Sequence, residues 1–383
     1  MGSTFKRLGD LIHPVDVRNS DLAVTKLMGV NLSKQMMPSV ANIVGTDLSV
    51  YKVVKKGQFA CKLMSIGRDA CLPIALKTDD EPVIISSAYY AFEVNDESVL
   101  SSEYLMMCFL RPDFDRELCF RSGSDVRGGV SWEDFCNMSI PFCPIEEQLV
   151  IAREYRVVRE RIDLLDSISS KTEEILALLF AEFQRSHNDS KEIALSDMCA
   201  ISSSKRIFAD EYVSCGIPFY RGGEISNKRF GQPLKNLLYI SEERYLEVRD
   251  KYGVPNAGDV LITAVGTIGN SYMVQDEKFY FKDGNIIWLK DFVDDKINYY
   301  VYDFLQSSQF GTILEGICIG STQTALTITA LSDVKLHIGN SSEMAEYCER
   351  SKNLHMQINA YRREMESLRT LQNLLFGHML GRG

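Results

Sequence analysis

The chain has 383 residues, a formal net charge of −10, 45% hydrophobic and 25% charged residues, the composition of a globular protein with more than one core and not of a fibrous or disordered chain. No apolar run approaches the ~20 residues that cross a bilayer. The start Met1-Gly2-Ser3-Thr4-Phe5-Lys6 lacks an apolar signal region, so the cytoplasm is the expected compartment and no membrane partner is expected. The acidic sum excludes a protein coated in positive charge, while a local basic face for nucleic acid stays open.

In chain order, Val83-Ile84-Ile85 reads as a strand and Ser102 to Leu110 as a short helix. Pro144 followed by Glu146 and Glu147 is a helix start, with acidic residues at the positive end. From there Ile151, Tyr155, Val158, Ile162, Leu165, Ser169, Thr172, Leu176, Leu179 and Phe183 step alternately by four and three, a heptad seam. Beyond it, Val260 to Val265 after Gly258-Asp259 reads as a strand entered from a turn. Asn285 to Leu289 reads as another strand and Ile297 to Gln309 as a helix. The last segment repeats the seam with Tyr347, Ser351, Leu354, Ile358, Tyr361, Met365, Leu368, Gln372, Leu375 and Met379. No proline falls between 145 and 217 or after 255, so nothing breaks either helix. About 40 residues at ~1.5 Å each give a helix of roughly 60 Å.

The two seams lie 196 residues apart, and so do Leu178-Leu179-Phe180 and Leu374-Leu375-Phe376, Glu147 and Glu343, and Ile140 and Leu336. Gly57-Gln58-Phe59 pairs with Gly258-Asp259-Val260, and Leu8-Gly9-Asp10-Leu11 with Leu195-Ser196-Asp197-Met198, at slightly different offsets. The chain is therefore a duplication: a domain over 1–145, a helix over 146–188, a second domain over 189–341 and a second helix over 342–383. Each seam could pack on its own domain. Equal length and register favour mutual pairing, and a domain between the two favours an antiparallel pair. The fold class is α/β, with two mixed α/β domains separated by two long helices forming an antiparallel coiled coil.

Three segments resemble the target-recognition domains of Type I restriction–modification specificity subunits: Ile217 to Ile225 (IPFYRGGEI), Gly258 to Thr263 with Gly266-Thr267-Ile268-Gly269, and Gly320 to Leu326 (GSTQTAL). Ile140-Pro141-Phe142-Cys143-Pro144-Ile145-Glu146-Glu147-Gln148 is similar to that family's entry into its central helix. The first domain keeps only fragments, Leu27 to Asn31 and Gly123-Ser124, and the second helix lacks the Pro-x-x-x-Glu-Gln entry. The resemblance implies that each domain reads one half of a split double-stranded DNA target and that the helices set the gap. It also implies docking of two methyltransferase (modification) subunits, joined by nuclease/translocase (restriction) subunits. S-adenosylmethionine, ATP and magnesium would then sit on those partners, and no cofactor on this chain.

Reading a duplex needs cationic and polar side chains on loops. Lys205, Arg206, Arg221, Lys228, Arg229 and Lys235 outnumber Asp210, Glu211 and Glu224 locally, in an otherwise acidic domain. Arg221, beside Gly222 and Gly223, is the candidate for reading guanine, although a tight turn with a surface arginine would look the same. Thr267 and Asn270 in a Gly-rich run are candidates for the DNA backbone; a bare hairpin turn is the alternative. Ser321, Thr322, Gln323 and Thr324 are candidates on an exposed polar loop. The corresponding positions of the first domain are Lys62, Ser65 and Arg68, and Arg121, Ser124 and Arg127.

Signals for catalysis or metal are missing. The ten cysteines contain no C-x-x-C pair, and the five histidines are scattered singly. No base-methylation motif, nucleotide fingerprint or P-loop is present. A subunit that is not itself an enzyme and binds no metal is expected. An enzyme that acts on DNA unaided, or a coiled-coil scaffold without a DNA role, are the other readings of the residues.

Overall fold

The computed structural model describes residues 4–40, 45–64, 66–122, 128–187, 190–294, 296–318 and 324–380. The chain divides into two compact units, Met1–Asp163 with Glu366–Gly383, and Leu164–Met365. Both boundaries fall inside the long helices Ile145–Ser186 and Ser341–Met379.

In the first unit the strand Thr4–Arg7 pairs antiparallel with Ser139–Phe142, bringing the start of the domain to the start of the central helix. A four-stranded antiparallel sheet follows the order Ile12–Val15, Tyr90–Val94, Phe59–Cys61, Ile74–Leu76. Its inner face carries Phe59 and Phe92, stacked at 4.8 Å, under Phe109 of the helix Ser102–Leu110. All three rings are fully buried, each contributing about 1.5–3 kcal/mol of apolar transfer. Two small sheets, Met28–Val30 with Met36–Pro38 and Lys52–Val54 with Val83–Ile85, complete this unit.

The second unit repeats the frame. Lys191–Ala194 pairs with Lys335–Ile338, and the four-stranded sheet runs Ala200–Ser202, Ile286–Lys290, Val260–Thr263, Ser271–Met273. Individual hydrogen bonds recur at equivalent positions of the repeat. Leu8 N–H donates to Met138 O and Leu195 N–H to Val334 O, both at 2.8 Å. Val130 N–H donates to Leu63 O and Leu326 N–H to Ala264 O, both at 2.9 Å. The Tyr104 and Tyr300 hydroxyls reach Pro141 O and His337 O respectively. What the second unit adds is a further sheet, Tyr212–Val213, Leu238–Ile240, Ile217–Tyr220, Tyr280–Phe281, with the helices Gly222–Arg229 and Glu242–Tyr252.

The helices start for different reasons. Pro144 ends the preceding strand, and Gln148 is fully buried with its amide satisfied by Val99 O, Cys143 O and Ser101 N–H. The second helix has no such glutamine. Asn340 caps it instead, accepting from Ser342 and Glu343 N–H at 3.0 and 3.1 Å while Glu343 returns to Asn340 N–H, a capping box.

Within the first unit the beginning of the central helix meets the end of the other: Tyr155 lies 5.3 Å from Phe376, and Ile151, Tyr155 and Val158 are buried. Within the second unit the end of the central helix meets the beginning of the other, with Phe183 at 4.7 Å and Phe180 at 6.3 Å from Tyr347. The pairing is antiparallel in each. Leu165, Leu176 and Ile358 are buried, while Ile162, Leu179, Leu354, Tyr361, Leu368 and Leu375 are half-buried. Next to two of these positions the buried side chains are Phe180 and His355, the drift expected when a 3.6-residue turn carries a seven-residue pattern. Among the described residues no helix is long and apolar enough to cross a membrane.

Candidate nucleic-acid interface

The three signature segments of the second unit converge. Gly258 takes a left-handed φ of +92°, and an added Cβ would lie 2.9 Å from Asn298 Nδ2, so only glycine enters this strand so tightly. Asp259, next to it, accepts from Trp288 Nε1 and from Asn256 N–H, both at 2.8 Å. Burial raises its pKa. These residues anchor the strand Val260–Thr263, and the fully buried Thr263 then ties the following loop. Its hydroxyl accepts from Asn270 N–H at 3.0 Å and donates to Thr267 O, while Gly266 and Gly269 supply positive φ. Ala325 pairs with Val265 and brings Thr324, which is exposed, to the same loop.

The helix Gly222–Arg229 packs against this hairpin through Ser226. The Ser226 hydroxyl donates to Gly222 O at 2.9 Å, accepts from Asn270 Nδ2 at 2.9 Å, and lies 3.0 Å from Thr267 Oγ1. Ser226 is the member of this cluster that the sequence did not offer. Thr267 is exposed, Asn270 half-buried, and both hang on the same hydroxyl.

The basic residues divide by partner. Arg221 caps the helix, and its Nε and Nη2 hold Glu224 at 3.1 and 2.6 Å. Burial alone would push the Glu224 carboxyl up, but the Arg221 guanidinium and backbone N–H outweigh it and hold the pKa low. The same pair raises Arg221. A bidentate grip on guanine would strip a buried carboxylate of its partner, so the expected role of Arg221 as a free reading fork changes to that of a tethered cation. Gly222 opens a helix where a turn was the alternative, and an added Cβ there would meet Thr263 Cγ2 at 3.7 Å, ordinary contact. Lys205 is exposed, its ammonium 5.3 Å over the Tyr252 ring. Arg206 pairs with Asp283 at 2.8 Å with its side chain 65% exposed, a bond weak enough for a phosphate to replace. Lys228 meets Glu277 at 3.1 Å. Arg229 turns toward a cavity beside the helix pair, and burial lowers its pKa.

In the first unit the same two segments meet, Gly67 N–H donating to Gly128 O at 2.8 Å. Lys62 is half-buried and Arg68 and Arg121 are exposed. Arg68 pairs with Asp69 at 2.7 Å and Arg121 with Glu117 at 2.8 Å. Ser65, Ser124, Arg127, Ser321, Thr322 and Gln323 lie outside the described residues. Among the described residues no cluster of His, Cys, Asp and Glu could hold a metal ion.

Residues 187–357 match the Type I restriction modification DNA specificity domain family. The chain is 36% identical over 149 residues to a protein named as a type I restriction enzyme specificity subunit in Haemophilus influenzae; the match spans 39% of this chain and 36% of that one. The crystal structure of a Type I restriction–modification system S subunit from M. genitalium shares the fold over 98% of this chain and 95% of its own length, at a TM-score of 0.65 and 15% identity. Residues 187–357 thus carry the sequence pattern of that family, and the whole chain shares the fold of a solved S subunit.

Proposed function

We propose that this chain reads a bipartite double-stranded DNA target and directs a restriction–modification complex to it without catalysing either reaction. One observation carries the reading: the hairpin Thr263–Asn270, the helix Gly222–Arg229 and the segment at Thr324–Ala325 meet as one polar surface on a frame that the chain contains twice. Thr267, Asn270 and Thr324 face the duplex, Lys205 and Arg206 exchange their present partners for phosphates, and Lys62, Arg68 and Arg121 serve the other half-site. Two methyltransferase subunits dock on the helices, nuclease subunits join them, and S-adenosylmethionine, ATP and magnesium belong to those partners. The cytoplasm is where these components would assemble.

The test is selection from random duplexes with the assembled complex. A split motif with a fixed unread gap is expected. A continuous motif would remove the two-reader reading, and activity of the purified chain with S-adenosylmethionine and magnesium would make it an enzyme.

A further inference from the structure

The second unit contains a cavity of about 560 Å³, a size typical of small-molecule sites. It stands apart from the hairpin loop: one wall is the helix pair, the other the edge strand Ser271–Met273 and the end of the helix Gly222–Arg229. Its close contacts leave Arg229 without a carboxylate of its own. Arg362 meets Glu173 at 2.7 Å. Asp303 is saturated by Tyr347, Ser351 and His355 at 2.6, 2.5 and 2.6 Å. Among the described residues Arg229 makes no ion pair: it meets the Ser271 hydroxyl at 3.2 Å and the Phe230 ring at 5.3 Å from its guanidinium carbon, while Glu173, already held by Arg362, acts on it from further off. A guanidinium withdrawn from water without a counter-charge is destabilised, and burial lowers the pKa of Arg229 where the paired Arg221 is raised. An anion from outside would cancel that penalty.

The remaining walls say what the anion is attached to. Phe230 is 56% exposed, although a large ring is usually covered, and Tyr272 and Tyr302 line the same space. Gln275 and Asn359 form an amide pair at 3.0 Å, with Gln306 also in the lining. Aromatic faces and amide edges are the chemistry that recognises a nucleobase, and arginine is the residue for phosphate. We propose that this cavity binds a nucleoside phosphate, its phosphate on Arg229 and its heterocycle against the aromatic and amide wall. The corresponding cleft of the first unit, about 500 Å³, has charged side chains such as Lys77 and Arg159 beside Met28, Met36, Met106 and Met107, but Tyr155 is the one aromatic residue in its lining; the aromatic wall is missing, so one site per chain is expected.

Titration calorimetry on the full chain tests this with ADP, adenosine and inorganic phosphate as probes. ADP is expected to bind one site, at least about tenfold more tightly than adenosine or phosphate alone. Arg229→Gln and Phe230→Ala should each weaken ADP at least about tenfold, while Met107→Ala in the other cleft leaves it unchanged. Phe230 is exposed, so its variant reads the site even if Arg229→Gln misfolds. No ADP binding at about 1 mM, equal binding of ADP and phosphate, or ADP affinity untouched in both variants would overturn the proposal.

Discussion

The two units share a frame and differ in what hangs on it. Sheet order, the strand that closes each domain onto its helix, and hydrogen bonds such as Leu8–Met138 and Leu195–Val334 recur. Outside the shared sheet the likeness ends. The first unit has two two-stranded sheets, and the second has a four-stranded sheet with two helices. The contact with the long helices differs too. At the repeat offset, Asp303, Tyr347, Ser351 and His355 stand where the first unit has Met107, Ile151, Tyr155 and Arg159. One unit is clamped to its helices by a buried polar network and the other by methionine packing. Folding therefore depends on the duplicated frame, while the unshared part is free to differ.

The largest effect is expected from separating the readers. A heptad inserted into both helices at facing levels preserves the seam. Phe183 against Tyr347 and Glu173 against Arg362 put Ser169 level with the stretch Tyr361 to Glu366, so insertions after Ser169 and after Met365 match. Seven residues add about 10 Å, roughly three base pairs. The preferred gap should grow by that amount with both half-site sequences unchanged, read by selection with the assembled complex. If the complex assembles and keeps its gap, the helices are not the ruler.

Next comes the clamp. Asp303→Ala leaves three buried donors without their acceptor and should cost about 3–5 kcal/mol, read by urea unfolding with a probe in the second unit. Met107→Ala removes only packing, about 2–5 kcal/mol depending on collapse, and should act on the first unit. Equal destabilisation of both units by either change would mean that they unfold as one.

Ser226→Ala is subtler. It removes the hydroxyl that joins the reading helix to the loop, about 0.5–1.5 kcal/mol of stability, and should relax preference within one half-site, with Ser226→Thr restoring it. A uniform loss across all sequences would make the contact structural only.

The helices were legible because a seven-residue pattern free of proline has few other solutions, and the frame because the chain states it twice. The Gly258-Asp259 turn was visible as a motif, but its partners Trp288 and Asn298 are distant in sequence. Ser226 was invisible for the same reason: Thr267 and Asn270 are 41 and 44 residues away. Arg221 stood out for its neighbours Gly222 and Gly223, whereas its ion pair with Glu224 went unnoticed. Glu224 three residues on is a capping-box spacing that announces the tie. The cavity had no linear signal at all, since its walls come from both long helices and the domain between them.

The smallest expected effect concerns pH, and it too separates the units. His187 Nδ1 lies 2.8 Å from Phe183 O and Nε2 3.1 Å from Glu343, joining the end of the central helix to the start of the other. The Phe183 carbonyl first, and Glu343 after it, raise its pKa above the ordinary imidazole value of 6.5. A raised folded value means that folding favours the protonated ring. The contribution is complete below the unfolded value and is lost as pH rises through the folded one. Stability of the second unit should therefore decline slightly from just above pH 6.5 upward, by less than about 1 kcal/mol because Glu343 is half exposed. In His187→Gln that part of the slope should vanish, and Glu343→Gln should flatten it partly, since the carbonyl remains. The first unit has only Gly383 at the matching offset and should show no such step. Melting followed from pH 6 to pH 8 reads the difference, and an unchanged slope in His187→Gln would assign it to another group.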